Sequence, residues 1–121
     1  PALCDHTAAQ TGRAPGWPGL LARAPEAERE TFARMSAYYD AVNFARRITC
    51  PTLVSAGFID STCPPGSVYA AYNVIRAPKR IVNGPRDGHT TKLADYPQIQ
   101  AAWIAEQLGF AAPATLKAPA P

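Results

Sequence analysis

Seven consecutive residues constrain this chain more than any others. Thr52 to Phe58 (TLVSAGF) is apolar at nearly every position, inside the longer run Ile48 to Ile59. A strand with one wet face alternates apolar and polar residues, whereas a near-continuous apolar run is the pattern of a strand buried on both faces, as in a parallel sheet. Ser67 to Ile75 then returns to helical spacing, with Val68, Ala71, Tyr72 and Ile75 on one face. Arg80 to Asn83 is a second, shorter strand candidate, and Gly84 to Gly88 is a loop by composition. From Asp95 or Tyr96 to Leu108 a last helix is expected to bury Ile99, Trp103, Ile104 and Leu108, with Gly109 placed to end it.

Upstream of the strand the period is helical again. Pro25 opens a helix well because its missing N–H has no partner there in any case. Glu26, Glu28 and Glu30 sit favourably near the positive end of the helix dipole. Phe32, Met35 and Tyr39 share one face of this helix, and Asp40 is placed to cap a second short helix carrying Val42, Phe44 and Ala45. Before Pro25, the stretch through Gly19 reads as a polar, Gly/Pro-rich loop. The order helix, strand, helix, strand, helix is that of an α/β sheet. Right-handed crossovers make the two strands parallel and adjacent. So few strands do not complete a doubly wound sheet, so the chain reads as part of a larger fold.

Composition narrows the function classes. A length of 121 residues fits one domain, and a 47% hydrophobic share argues against wholesale disorder. The net charge is +3, but Lys and Arg are scattered, with Arg46-Arg47 as the longest run. A nucleic-acid surface is normally a clustered basic stripe, so no nucleic-acid partner is expected. No apolar run approaches the roughly 18–20 residues of a membrane-spanning helix, so no membrane partner is expected either. Cys4, Cys50 and Cys63 form no CxxC pair, which points neither to a disulfide framework nor to a zinc site. The Ala/Pro-rich tail APATLKAPAP has no periodicity and reads as disordered or extended. This divides the chain into a domain over 1–110 and a tail over 111–121. The chain opens on Pro1 with no initiator Met and no visible leader, from which further upstream sequence is expected and the compartment stays open.

In open parallel sheets, ligands and catalytic groups gather beyond the carboxyl ends of the strands. Asp60 follows the first strand and His89 the second. A carboxylate that meets an imidazole through Nδ1–H fixes its tautomer and steadies the imidazolium formed when the ring takes a proton. The order acid, then His, with one helix between, fits the last two members of a Ser, acid, His triad. Each residue also has a plain reading: Asp60 as a loop or capping residue, His89 as a solvated loop side chain. Asp87 and Trp17 read as loop residues. Cys4, Asp5 and His6 are too compact a group, with no distant ligands, to signal zinc. Cys63 as a nucleophile needs a nearby base and a lowered pKa.

Ser36–Asp40 (SAYYD), Asn43–Ile48 (NFARRI), Cys50-Pro51 and Leu53–Gly57 (LVSAG) resemble the acetyl xylan esterase/cephalosporin C deacetylase family. Ile59–Pro65 (IDSTCPP) through Val68–Asn73 (VYAAYN) is the most specific part of the likeness, and Pro78-Lys79-Arg80 and Gly88-His89 continue it. The opening Pro1–His6 (PALCDH) is similar to the segment that follows the nucleophile helix in that family. The resemblance implies the C-terminal portion of an α/β-hydrolase fold. It also implies a serine ester hydrolase removing O-acetyl groups from carbohydrates or similar small esters, with no metal and no organic cofactor. It places the catalytic acid on Asp60 and the base on His89, and makes Cys63 part of the turn that positions the acid. The family's ring-like oligomers make a homo-oligomer an option here.

The departure is the nucleophile. No GxSxG occurs in the 121 residues, and Ser36, Ser55, Ser61 and Ser67 all lie in the wrong context. The serine, with the oxyanion donor that follows it, is therefore expected upstream, and this chain alone is expected to be inactive and poorly stable. The alternatives are a different α/β-hydrolase activity, such as a broad esterase or peptidase, or a non-catalytic truncated remnant.

Overall fold

The computed structural model describes residues 4–10, 23–89 and 95–111. Trp17 and the tail beyond Ala111 lie outside the described residues. The elements run in chain order: α1 (His6–Gln10), a 3-10 turn (Glu26–Glu28) leading into α2 (Arg29–Tyr39), α3 (Ala41–Ala45), β1 (Thr52–Gly57), α4 (Pro65–Val74), β2 (Lys79–Gly84) and α5 (Tyr96–Leu108). β1 and β2 are parallel and adjacent, in register from Thr52 opposite Lys79 to Gly57 opposite Gly84. The helix–strand–helix–strand–helix order is thus present, and the described residues include a helix that the sequence does not suggest.

That additional helix is α1, where the sequence reads as loop. Asp40 explains it. One carboxylate oxygen accepts the N–H of Asp5 at 3.0 Å and the other that of His6 at 2.9 Å, which ties the start of α1 to the start of α3. Asp5 in turn accepts the N–H of Ala8 at 3.2 Å from a left-handed backbone, φ 55°, which Asp tolerates better than most residues. Asp40 also caps α3, accepting the Val42 N–H at 3.0 Å. One carboxylate therefore satisfies N–H groups at the starts of two helices.

The face expected for α2 is corrected. Met35 and Tyr39 are 53% and 70% exposed, while Ser36 is the buried residue of the helix. The helix packs on α1 through a hydrogen bond between Ser36 and His6 rather than through an apolar stripe. The core is small and built largely of short side chains: Cys4, Ala45, Ala71 and Ile75, flanked by Val42, Ile48 and Val74. Among the described residues, Ile75 in this cluster and Val68 elsewhere on α4 are the largest buried aliphatic side chains, each worth roughly 1.5–3 kcal/mol.

β1 is also less buried than its apolar run predicts. Ala56 is its fully buried position, Ser55 is exposed, and the remaining four are half-buried. The reason is geometric. α3 and α4 lie over the face carrying Thr52 and Val54, with a largely apolar groove of about 320 Å³ left between these helices and the strand. The sheet has two strands, so among the described residues the outer edge of each is unpaired. α5 shows the same incompleteness: Ile99 and Trp103 are half-buried, but Ile104 and Leu108, expected inside, are 42% and 62% exposed. Its end follows the sequence expectation, with Gly109 at φ 70° and the Phe110 N–H reaching back to the Ala105 carbonyl at 2.8 Å.

Candidate active site

The two strands end on facing glycines, and these let the following loops meet. A Cβ on Gly57 would stand 2.6 Å from the Asp87 carbonyl oxygen, and one on Gly84 would fall on the Asp87 carboxylate. With both positions bare, the loop after β2 folds back across the strand ends. The Asp87 N–H donates to the Gly84 carbonyl at 3.0 Å, and the Asp87 carbonyl accepts the Ile59 N–H at 3.1 Å. The Phe58 N–H donates to the Gly84 carbonyl at 2.9 Å. Asp87 therefore joins the loops through its backbone, as a loop residue should.

These bonds bring Asp60 and His89 together. Asp60 Oδ1 accepts the N–H groups of Thr62 and Cys63, each at 2.8 Å, an Asx-type turn that fixes the carboxylate. Asp60 Oδ2 faces His89 Nδ1 at 3.1 Å. The Asp60 side chain is 10% exposed and that of His89 50%. Burial opposes ionisation of Asp60, but the Cys63 N–H, the His89 ring and the Thr62 N–H together outweigh it and hold the carboxyl below its ordinary value. An ionised carboxylate only accepts, so Nδ1 carries the proton that the pair shares. In the neutral ring, Nε2 then keeps a lone pair. A ring held in this tautomer at a strand end can take a proton from a hydroxyl at Nε2.

The other candidates are placed elsewhere. Burial pushes the Cys63 thiol up, and the Asp60 charge adds to the effect, which removes the lowered pKa a cysteine nucleophile needs. Ser36 is buried, with its hydroxyl 2.6 Å from His6 Nδ1, and the Ser36 carbonyl lies 2.9 Å from the same nitrogen. Ser67 is buried too and donates to the Pro64 carbonyl at 2.9 Å. Ser55 lies on β1 and Ser61 beside the acid. None stands on a strand-to-helix elbow. Cys4, Asp5 and His6 do not converge as a metal site: the Asp5 carboxylate is turned to the Ala8 N–H and the His6 Nδ1 to Ser36.

Sequence reasoning missed two features. One is the buried Ser36–His6 pair, whose members are 30 residues apart with no motif to connect them. The other is the convergence of the Cys63 sulfur with the ligand atoms of Asp60 and His89, all within 4.8 Å of one another. The spacing of Asp60 and Cys63 hints at one shared turn, but nothing local says that the thiol points toward His89.

Residues 20–106 match the family model described as acetyl xylan esterase (AXE1). The acetyl esterase Axe7A of Xylanibacter ruminicola is 39% identical over 109 residues, which cover 89% of this chain and 24% of that protein. Acetyl xylan esterase 1 from Thermoanaerobacterium sp. JW/SL YS485 superposes with a TM-score of 0.60 at 34% identity, over 68% of this chain and 25% of that one. An acetyl xylan esterase from Paenibacillus sp. R4 gives a TM-score of 0.67 at 28% identity, over 90% of this chain and 35% of that one. The chain thus spans about a quarter of the length of the curated relative it matches.

Proposed function

The chain belongs to the acetyl xylan esterase family and has its α/β-hydrolase fold, and on that premise we propose that it supplies the acid and the base of a serine ester hydrolase. The substrates are O-acetyl groups on carbohydrates or similar small esters. Asp60 is the acid and His89 the base. The nucleophilic serine and the oxyanion donor that follows it come from sequence upstream of Pro1.

The observation that carries the reading is the 3.1 Å pairing of Asp60 Oδ2 with His89 Nδ1 at the carboxyl ends of adjacent parallel strands. In the complete protein, His89 Nε2 takes the proton of the serine hydroxyl as its oxygen attacks the acetyl carbonyl. The imidazolium, steadied by Asp60, then protonates the departing sugar oxygen. An acetyl-enzyme remains. Water, deprotonated by the same Nε2, attacks it, and acetate leaves as the serine regains its proton. The family likeness supports the acetyl group as the part recognised.

The test is acetate release from acetylated xylo-oligosaccharides and from long-acyl esters, measured on the protein that carries these residues together with its upstream part. Turnover of the acetylated sugars, lost on His89→Ala, supports the reading. A preference for long acyl chains or peptides ends it. The 121 residues alone are expected to release no acetate, because they hold no elbow serine. Turnover by this chain that His89→Ala abolishes would reveal a nucleophile among Ser36, Ser55, Ser61 and Ser67.

A further inference from the structure

The Cys63 sulfur has no part in the ester chemistry, yet it lies beside both groups that do. One ligand atom each from Asp60, Cys63 and His89 fall within 4.8 Å of one another, in the turn where the Cys63 N–H also holds the carboxylate at 2.8 Å. From this convergence we infer that Asp60, Cys63 and His89 form an inhibitory site for a borderline-soft divalent cation of the Zn²⁺ class.

Donor chemistry selects the cation. A thiolate, an imidazole and a carboxylate together suit Zn²⁺ and its soft neighbours, whereas Mg²⁺ and Ca²⁺ take all-oxygen sets. Distance is close to what is required. Bonds of about 2.0 Å to N and O and about 2.3 Å to S place tetrahedral donors roughly 3.3–3.6 Å apart. The imidazole and carboxylate already stand at 3.1 Å, and the separations involving sulfur need at most about 1.3 Å of closure, within reach of side-chain rotation. Access is open on one side, since the His89 side chain is 50% exposed while Cys63 is buried. Three protein ligands leave the fourth position for water.

Occupancy disarms the base by a simple proton count. The ring nitrogen facing Asp60 is Nδ1. A cation bound there needs that lone pair, so the ring proton moves to Nε2 and the imidazole stays neutral. The Cys63 thiol gives up its proton to the solvent, one proton for each cation bound. Nε2 now carries a hydrogen and can no longer accept one from serine. Inhibition therefore rests on the catalytic reading, whereas cation binding does not.

The experiment separates the two. The full chain, in a Cys50→Ser background that removes the exposed thiol, is titrated with Zn²⁺ by calorimetry and with Co²⁺ by absorption. Circular dichroism confirms that each variant keeps its fold. The expected result is one cation per chain, a thiolate-to-Co²⁺ charge-transfer band and one proton released. Cys63→Ser and Cys63→Ala should abolish the band. Each, like His89→Gln, should weaken binding by at least the about 10–100-fold that loss of an outer-shell partner costs a metal site. Excess Mg²⁺ should not compete. A band that survives both Cys63 variants overturns the site, as does Zn²⁺ affinity weaker than about 1 mM. Effective competition by Mg²⁺ overturns it too. Acetate release by the longer protein is scored separately: a band without hydrolysis supports the metal site and removes the esterase, and hydrolysis without a band does the opposite.

Discussion

The two histidines hold the same kind of bond in opposite surroundings. His89 Nδ1 meets a carboxylate at 3.1 Å with its side chain 50% exposed, and His6 Nδ1 meets a serine hydroxyl at 2.6 Å with the residue 2% exposed. By distance alone, the second would pass for a catalytic Ser–His pair. It lacks the other two requirements. The Asp40 carboxylate close by is turned to backbone N–H groups rather than to the ring, so no acid steadies an imidazolium there. The Ser36 hydroxyl is sealed in, with the residue 3% exposed, where no ester reaches it. Catalytic capacity at a histidine follows from what stands behind one nitrogen and what space lies before the other. Hydrogen-bond length is a poor guide to either.

The strongest test of this contrast is to neutralise the acid. If a longer protein supplies the serine as proposed, Asp60→Asn should there keep the fold and lower kcat by about 10³–10⁴, the scale for loss of a triad acid. His89→Ala should cost at least as much. Steady-state acetate release measures both, and a loss below tenfold for Asp60→Asn would show that His89 is oriented by something else.

On the other side of the contrast, Asp40→Ala should act on stability and not on chemistry. It strips the acceptor from the N–H groups of Asp5, His6 and Val42, at a cost of about 2–3 kcal/mol in chemical denaturation. Ser36→Ala should cost less, about 1 kcal/mol, for one buried hydrogen bond. If either variant lowers kcat in a protein that stays folded, the buried pair belongs to the machinery after all.

Acid titration sharpens the difference further. The Asp60 carboxyl is held below its ordinary value, so its folded-state bonds add stability that is fully present above the unfolded value of about 3.9 and is lost as pH falls through the lower folded value. The carboxyl carbon shift in NMR should therefore show a midpoint below about 3.9, and a midpoint above it would contradict the bonds from Cys63, His89 and Thr62. The smallest effect is expected at Asp87. Asp87→Asn keeps the backbone bonds to Gly84 and Ile59 and should shift stability by no more than about 0.5 kcal/mol, with kcat nearly unchanged. If Asp87→Asn is the damaging change, the acid has been assigned to the wrong residue.

What the sequence reveals and what it hides divides along the same physical line. Strand and helix positions are legible because local periodicity and turn chemistry set them: Asp40 caps α3, Gly109 closes α5, and the ends of β1 and β2 deliver Asp60 and His89 to one place. Burial is not local. Met35, Tyr39, Ile104 and Leu108 have the right spacing for a core, but a residue is buried only if another element covers it. The His6–Ser36 bond and the sulfur of Cys63 are hidden for a related reason, since their partners are chosen by the fold and leave no spacing signature.

The facing glycines at the strand ends have a consequence for anyone altering this protein. Neither Gly57 nor Gly84 offers a functional group, and a screen for chemically active side chains passes over both. Yet Asp60 and His89 meet because neither glycine carries a Cβ into the space that the Asp87 turn fills. Adding a single carbon at either place should lift the Asp87 turn off the sheet and carry His89 away with it. The variant would keep every reactive atom and still behave like one that has lost its base. In this fold, part of the reaction geometry is written in matter that is left out.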